Sequence, residues 1–179
     1  MPESLVLVTG PPGAGKSTIA PALAAGLDMP LVSKDAVKEA IHDGFGRRAL
    51  TLEESQSLGA AAFEVMWAIA RDASRIVLEA NFHRGNGRQM HELRTLRART
   101  VEVFCRCDPD IASARYRDRH RRGERHPVHV METIPPEVMR MFQPLQLGPV
   151  IEVDTTAAVD VDGVVTQLKA LLADGAQLR

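Results

Sequence analysis

Two regimes of apolar and polar positions alternate along the chain. Short apolar runs, rich in Val, Leu and Ile, each give way to a longer stretch with helical spacing. The runs fall at 5–9 (LVLVT), 30–33 (PLVS), 75–80 (RIVLEA), 100–107 (TVEVFCRC) and 150–154 (VIEVD). Helical spacing covers about 16–27, 35–42, 52–73, 87–97, 109–121 and 161–173. Residues 122–149 are broken by prolines and carry neither period for long. Strand followed by helix, five times over, predicts an α/β fold: a mostly parallel sheet with helices on both faces, a three-layer sandwich. Pro21 falls inside the first helix, where a missing N–H predicts a kink.

Composition narrows this only a little. A chain of 179 residues fits one domain, read here as 1–179, and 45% apolar with 25% charged residues is a globular mixture. The net charge of −1 gives no global pull toward nucleic acid or a membrane. The arginines are uneven, however: 12 of 18 lie between Arg84 and Arg125, which predicts one electropositive face. Cys105 and Cys107, two apart in one strand, point to the same side and read as small core residues, with no second pair to complete a zinc site. No apolar run reaches a signal-peptide core or the roughly 18 residues of a membrane helix. The expectation is a cytoplasmic protein with no membrane partner, a monomer or homodimer.

One segment carries specific chemistry. Gly10-Pro11-Pro12-Gly13-Ala14-Gly15-Lys16-Ser17 fits G-x-x-x-x-G-K-[ST] at every fixed position, and it lies between an apolar strand and a helix. Glycines let backbone N–H groups close on a phosphate. The helix beginning here adds free N–H groups and the positive end of its dipole, with Thr18 in its first turn. Lys16 brings a compact cation to the β- and γ-phosphates, and Ser17 offers Mg²⁺ a hard oxygen. The implied cofactors are ATP and Mg²⁺. No Asn precedes a Lys, so the guanine-reading N-K-x-D is absent. A motor ATPase would end its third strand in an acidic pair, whereas here the strand ends VLEAN.

GPPGAGKST, VSKDAVKEAIHDG, IVLEANF and CRCDPDIASARYRDRHRRG, in that order, resemble the landmarks of the small P-loop kinases, the broad group that includes chloramphenicol phosphotransferase, zeta-toxin-like kinases and the kinase domain of polynucleotide kinase. The resemblance spans about residues 5–156. It implies a five-stranded parallel sheet of order 2-3-1-4-5 and an Arg-rich lid over about 115–136. It implies an ATP-dependent phosphotransferase acting on a hydroxyl of a small molecule such as an antibiotic, nucleoside or sugar-like metabolite. A polynucleotide 5′-hydroxyl kinase and a regulatory ATPase without an acceptor are the alternatives, and nucleic acid is the less favoured partner because only Tyr116 interleaves the arginines.

Asp35 follows the second strand, on the ligand-binding edge of such sheets. It reads as the base for the attacking hydroxyl, a role the similar kinases assign there, or as a plain helix cap. Lys34 and Lys38 flank it, either as solvated surface charges or as holders of an anionic acceptor. Glu79 ends the third strand and could serve the metal, the acceptor or an ion pair; many relatives have Asp there. Asn81 and Arg84, with His83, follow on a loop and could line the acceptor pocket. Arg115, Arg119 and Arg122 are spaced to share one helix face, and in the similar kinases such lid arginines steady the transferring phosphoryl group. The resemblance also brings Asp154 and Thr155 past the adenine ring. The FEVMWAIA segment reads as core in preference to acceptor surface. His126 and His129, in HPVH, lack a third metal ligand in sequence.

Overall fold

A computed structural model describes residues 1–46 and 48–173. In chain order the elements are β1 (Ser4–Thr9), α1 (Lys16–Leu27), β2 (Leu31–Ser33), α2 (Lys34–Gly44), α3 (Leu52–Asp72), β3 (Arg75–Glu79), α4 (Gly87–Thr95), β4 (Arg99–Arg106), α5 (Pro109–Arg121), α6 (Pro136–Met139), β5 (Val150–Asp154) and α7 (Val161–Ala173). The five strands form one parallel sheet of order β2-β3-β1-β4-β5. This is the order of the P-loop kinase fold.

Sheet alternation sorts the apolar side chains into two cores. Val6, Val8, Val77, Val103, Ile151 and Cys105 face α1 and α7, where Leu23, Leu27, Val165 and Leu168 meet them. Leu5, Leu7, Ile76 and Leu78 face the other way, against Met66, Trp67 and Ala70 of α3 and Met90 and Leu93 of α4. One face of FEVMWAIA belongs to the core: Trp67 packs on Phe63 and Phe82, with ring centroids 5.6 and 5.9 Å away, while Val65 and Ile69 face outward. Both cysteines are free and buried.

Most helix starts follow from local chemistry. Thr51 and Glu54 form a reciprocal capping box for α3. Asn86 caps α4, and Asp108 caps α5 with Pro109 in its first turn. Ser33, rather than Asp35, caps α2, its hydroxyl accepting from Ala36 N. The cap role considered for Asp35 is thus taken by another residue, and Asp35 in the first turn pairs with Lys34 instead. Pro21 lies on the exposed side of α1, which continues past it to Leu27. The Pro-rich segment contains one unanticipated helical turn, α6.

One buried carboxylate ties the sheet to its surroundings. Glu102 on β4 is 0% exposed, accepting from Thr9 Oγ1 at 2.6 Å, Leu145 N at 2.9 Å and Gln146 N at 3.1 Å. A carboxylate so buried is stable only with its lone pairs satisfied, and these donors do that. It fixes the last residue of β1, and so the root of the Gly-rich loop.

Candidate active site

The sheet's carboxyl edge gathers the loop after β1, the start of α2 and the end of β3. Parallel register sets Val8 beside Glu79 and Ser33 beside Glu79, so the P-loop, Glu79 and the head of α2 are neighbours by construction.

The loop is built from backbone. Gly10, Gly13 and Gly15 have φ of 132°, 79° and 78°, a region L side chains rarely adopt. A Cβ on Gly13 would lie 2.2 Å from Ala112 O, and one on Gly10 would lie 2.6 Å from Cys105 O. Gly15 is the N-cap of α1 and offers no side-chain acceptor, which leaves the first N–H groups of the helix to a ligand. Lys16 is buried, its amine donating to Pro11 O at 2.8 Å and Gly10 O at 3.0 Å. Burial lowers its pKa, while Glu79 and Asp35 act in the opposite sense.

Two clefts open on either side of this loop. The first, about 690 Å³, takes in Lys16, Ser17, Asp35, Lys38, Glu79, Asn81 and Arg119. The second, about 590 Å³, takes in Thr18, Arg115, Arg122, Thr155 and Val159. Gly13, Gly15, Ser17 and Arg119 line both. The P-loop therefore sits at the junction of two binding spaces. The side chain of Arg119 has no hydrogen bond or ion pair among the described residues.

Asp35 is ion-paired to Lys34 at 2.5 Å. Partial burial pushes its carboxyl up, but Lys34, His129 and Lys16 outweigh that and hold it at about 2. Lys34 and Lys38 are buried, not solvated, because α3 and the segment after α5 close over α2. Lys38 donates to Ser55 Oγ at 2.7 Å, and Ser55 Oγ in turn donates to Val128 O at 2.6 Å. Burial first, then Lys34, brings the Lys38 amine down to about 8. Glu79 accepts from Ser33 Oγ, and burial raises its pKa against the pull of Lys16. Ser17 Oγ and the Glu79 carboxylate face the same cleft, a hard-oxygen pair that fits Mg²⁺.

Of the loop after β3 only Asn81 lines the first cleft; the end of α5 and the segment between α5 and α6 supply the facing wall. Tyr116, Arg125, His129 and Ile134 line the first cleft. The segment is latched to α2 by histidines: His126 Nε2 to Asp43 Oδ1 and His129 Nε2 to Glu39 Oε1, both 2.9 Å. HPVH thus pairs with carboxylates on α2. His42, Asp43 and His126 bring potential ligand atoms within 4.8 Å of one another, a group that leaves His129 out.

Three expected site residues lie elsewhere. Arg84 is exposed on the loop ahead of α4, which begins only at Gly87, and lines neither cleft. Asp154 turns outward to Arg106 at 2.8 Å and to Thr156, leaving Thr155 to face the second cleft. Arg115 lies away from the acceptor side and binds Thr155 O at 2.9 Å and Thr156 O at 3.2 Å. Arg115, Arg119 and Arg122 do share a face, lining the second cleft together.

Residues 5–145 match a family profile described as an AAA domain, AAA_33. The chain belongs to the AAA_33 family. The profile names this broad family and not the narrower kinase group that the motifs resemble. A crystal structure from Chloroflexus aurantiacus J-10-fl, provisionally named a kinase, is 31% identical to this AAA_33 chain, covers 95% of it and 98% of its own length, and superposes with a TM-score of 0.83. Shikimate kinase from Acinetobacter baumannii in complex with shikimate is 16% identical, covers 100% and 97%, and has a TM-score of 0.61. Kti12 from Chaetomium thermophilum with ADP-AlF3 is 18% identical, covers 94% and 99%, and has a TM-score of 0.59. These last two show the fold. No curated protein matches the AAA_33 chain in sequence. No helix among its described residues is long and apolar enough to cross a membrane.

Proposed function

We propose that the protein is an ATP:alcohol phosphotransferase whose acceptor is a small molecule. The observation that carries this is the junction: the P-loop and Arg119 line both clefts, so a phosphoryl group at Lys16 faces a nucleoside space on one side and Asp35 on the other. An ATPase that only hydrolyses needs no second space of about 690 Å³ walled by buried cations.

In this reading the amides of the P-loop and the start of α1 bind the α- and β-phosphates, and Lys16 binds the β- and γ-phosphates. Gly10 and Pro11 shape the loop's entry, Pro12 and Ala14 its rim and floor. Thr18 and Thr155 border the nucleoside. Arg115 holds the β5–α7 loop in place and so shapes that space indirectly. Ser17 and Glu79 would hold Mg²⁺, Glu79 through bound water, and the ion would neutralise charge on the β- and γ-oxygens. Asn81 and Lys38 face the acceptor. Residues 115–136 form the lid.

The acceptor hydroxyl oxygen forms a bond to the γ-phosphorus as the β–γ bridging P–O bond breaks, and that electron pair leaves with ADP. The hydroxyl proton passes to the Asp35 carboxylate and then to water. A carboxyl held near 2 is a weak base at neutral pH, so Asp35 acts chiefly by accepting the hydroxyl's hydrogen bond and aiming its oxygen. Proton transfer is late, as a loose transition state allows. Arg119 meets the charge on the phosphoryl oxygens.

The test is γ-labelled ATP with a panel of hydroxyl compounds that includes shikimate, the compound bound by the structural neighbour. Label on an acceptor, lost in Asp35→Asn, supports the reading. Inorganic phosphate as the sole labelled product, unchanged by that substitution, supports a regulatory ATPase instead.

A further inference from the structure

We propose that the acceptor is a small anionic alcohol, whose carboxylate or phosphate group is held by Lys38 and Arg125 while its hydroxyl faces Asp35. This rests on the phosphotransferase reading of the same site.

The argument begins with charge inventory. The acidic groups on the first cleft are already engaged: Asp35 by Lys34, Glu39 by His129, Glu79 by Ser33 and Glu124 by Arg122. Lys38 is not. It is 6% exposed, and its ammonium has three donors but a single hydrogen-bond partner among the described residues, the Ser55 hydroxyl. A buried ammonium without a counter-ion is costly, and a fold retains one where a ligand supplies the missing charge. Arg125 lines the same cleft, stacked 3.8 Å over the Tyr116 ring and anchored by one N–H on Met131 O. That stacking presets the plane of its fork and leaves further N–H groups for an oxyanion.

The remaining charged groups around Lys38 are Lys34, Asp35 and Glu39 on its own helix and His129 with Arg125 on the lid; α3 contributes only the Ser55 hydroxyl. Burial first, and then repulsion from Lys34, depresses the Lys38 amine, and an anion between Lys38 and Arg125 would offset both. Spacing sets the ligand's size. Asp35 and Lys38 are three apart on α2, with Cβ atoms roughly 5–6 Å apart. A compact ligand can therefore present its hydroxyl to Asp35 and its anionic group to Lys38. The ligand class is a hydroxy acid or a phosphomonoester with a free hydroxyl. Ser55 links Lys38 to Val128 O, so the same anion would be felt by the lid backbone.

The chain has only four lysines, Lys16, Lys34, Lys38 and Lys169, so lysine-selective isotope labelling gives a countable NMR spectrum, assigned by single Lys→Arg variants. The probes are matched: glycerol, D-glycerate and glycerol 3-phosphate. Binding at the subsite moves the Lys38 signal with an anionic probe and leaves it unmoved with glycerol. Whichever of glycerate and glycerol 3-phosphate acts at lower concentration identifies carboxylate or phosphate as the group read. In parallel, label transfer from ATP is compared between members of neutral and anionic pairs. A charge-assisted contact predicts a preference of about ten- to hundredfold for the anionic member, in KM rather than kcat. Lys38→Met erases that preference, and Lys38→Arg retains part of it. A Lys38 signal indifferent to both anions, with label passing equally to neutral polyols, overturns the anion assignment and leaves the kinase standing. A responsive Lys38 with no label on any alcohol keeps the anion site and overturns the kinase. Preference for a 5′-hydroxyl oligonucleotide over every small acid overturns the proposal in favour of a polymer.

Discussion

The helices α1 and α2 rise from nearby strand ends and begin in opposite ways. The start of α1 has no side-chain cap: Gly15 is left-handed, and the first amides open into the cleft. The start of α2 is capped by the Ser33 hydroxyl, and it presents the side chains of Asp35 and Lys38 to the first cleft. One half of the site is thus made of main chain and the other of side chains. Main-chain sites tolerate almost no added atoms, and side-chain sites change specificity by single replacement. On the phosphotransferase reading proposed above, one phosphate cradle could thus be combined with different acceptor walls.

The strongest attack on the contrast is at the main chain. In Gly13→Ala the new Cβ would meet Ala112 O and the φ of 79° would be strained. Strain of about 1–3 kcal/mol should lower the melting temperature by roughly 3–10 °C, and calorimetry with and without Mg·ATP should show nucleotide stabilisation gone. At the junction, Arg119→Gln should reduce kcat about 10³-fold, whereas Arg115→Gln should chiefly raise KM for ATP, near tenfold; steady-state kinetics separates the two. Equal effects on kcat would mean that both arginines reach the phosphoryl group.

Asp35→Asn tests the side-chain half. Turnover should fall about 10²-fold or more. The Asp35 carboxyl lies below its ordinary 3.8, so its ionised form contributes stability that is fully present above that value and lost as pH falls toward about 2. Acid unfolding of the variant should lack this component between pH 4 and 2. A gentler change is Lys38→Met. The folded Lys38 sits near 8 against 10.5 ordinarily, so burial of its charge destabilises the fold below pH 8 and that penalty is relieved as pH rises toward 10.5. The variant should melt slightly higher than the parent at pH 7 and lose the advantage at pH 10. Least visible of all, burial pushes Cys105 up to about 12, and native protein at pH 8 should resist iodoacetamide there.

The main-chain half was open to reading in the sequence. G-x-x-x-x-G-K-[ST] specifies geometry because only glycine accepts the φ values and the close approach to Cys105 O and Ala112 O. The sheet was legible from its apolar runs, and its order came with the kinase resemblance. The side-chain half was not, since nothing local says that Val128, 73 residues away, covers Ser55 and thereby buries Lys38. Arg84 was placed by its loop after β3, and Arg115 by helix spacing and the kinase resemblance; only the fold shows that Arg84 lines neither cleft and that Arg115 donates to the Thr155 and Thr156 carbonyls at the second. HPVH carried a signal, two histidines three apart, but its carboxylate partners lie on α2 and no sequence spacing reveals them.

The missing Cβ of Gly13 also constrains how the molecule opens. Ala112, 0% exposed in the first turns of α5, rests against that glycine so closely that the root of the helix is pinned to the P-loop. The segment that follows α5 is tied at its far side to α2 by His126 and His129, so the arginine-bearing helix is held at its root by main chain and beyond its end by side chains.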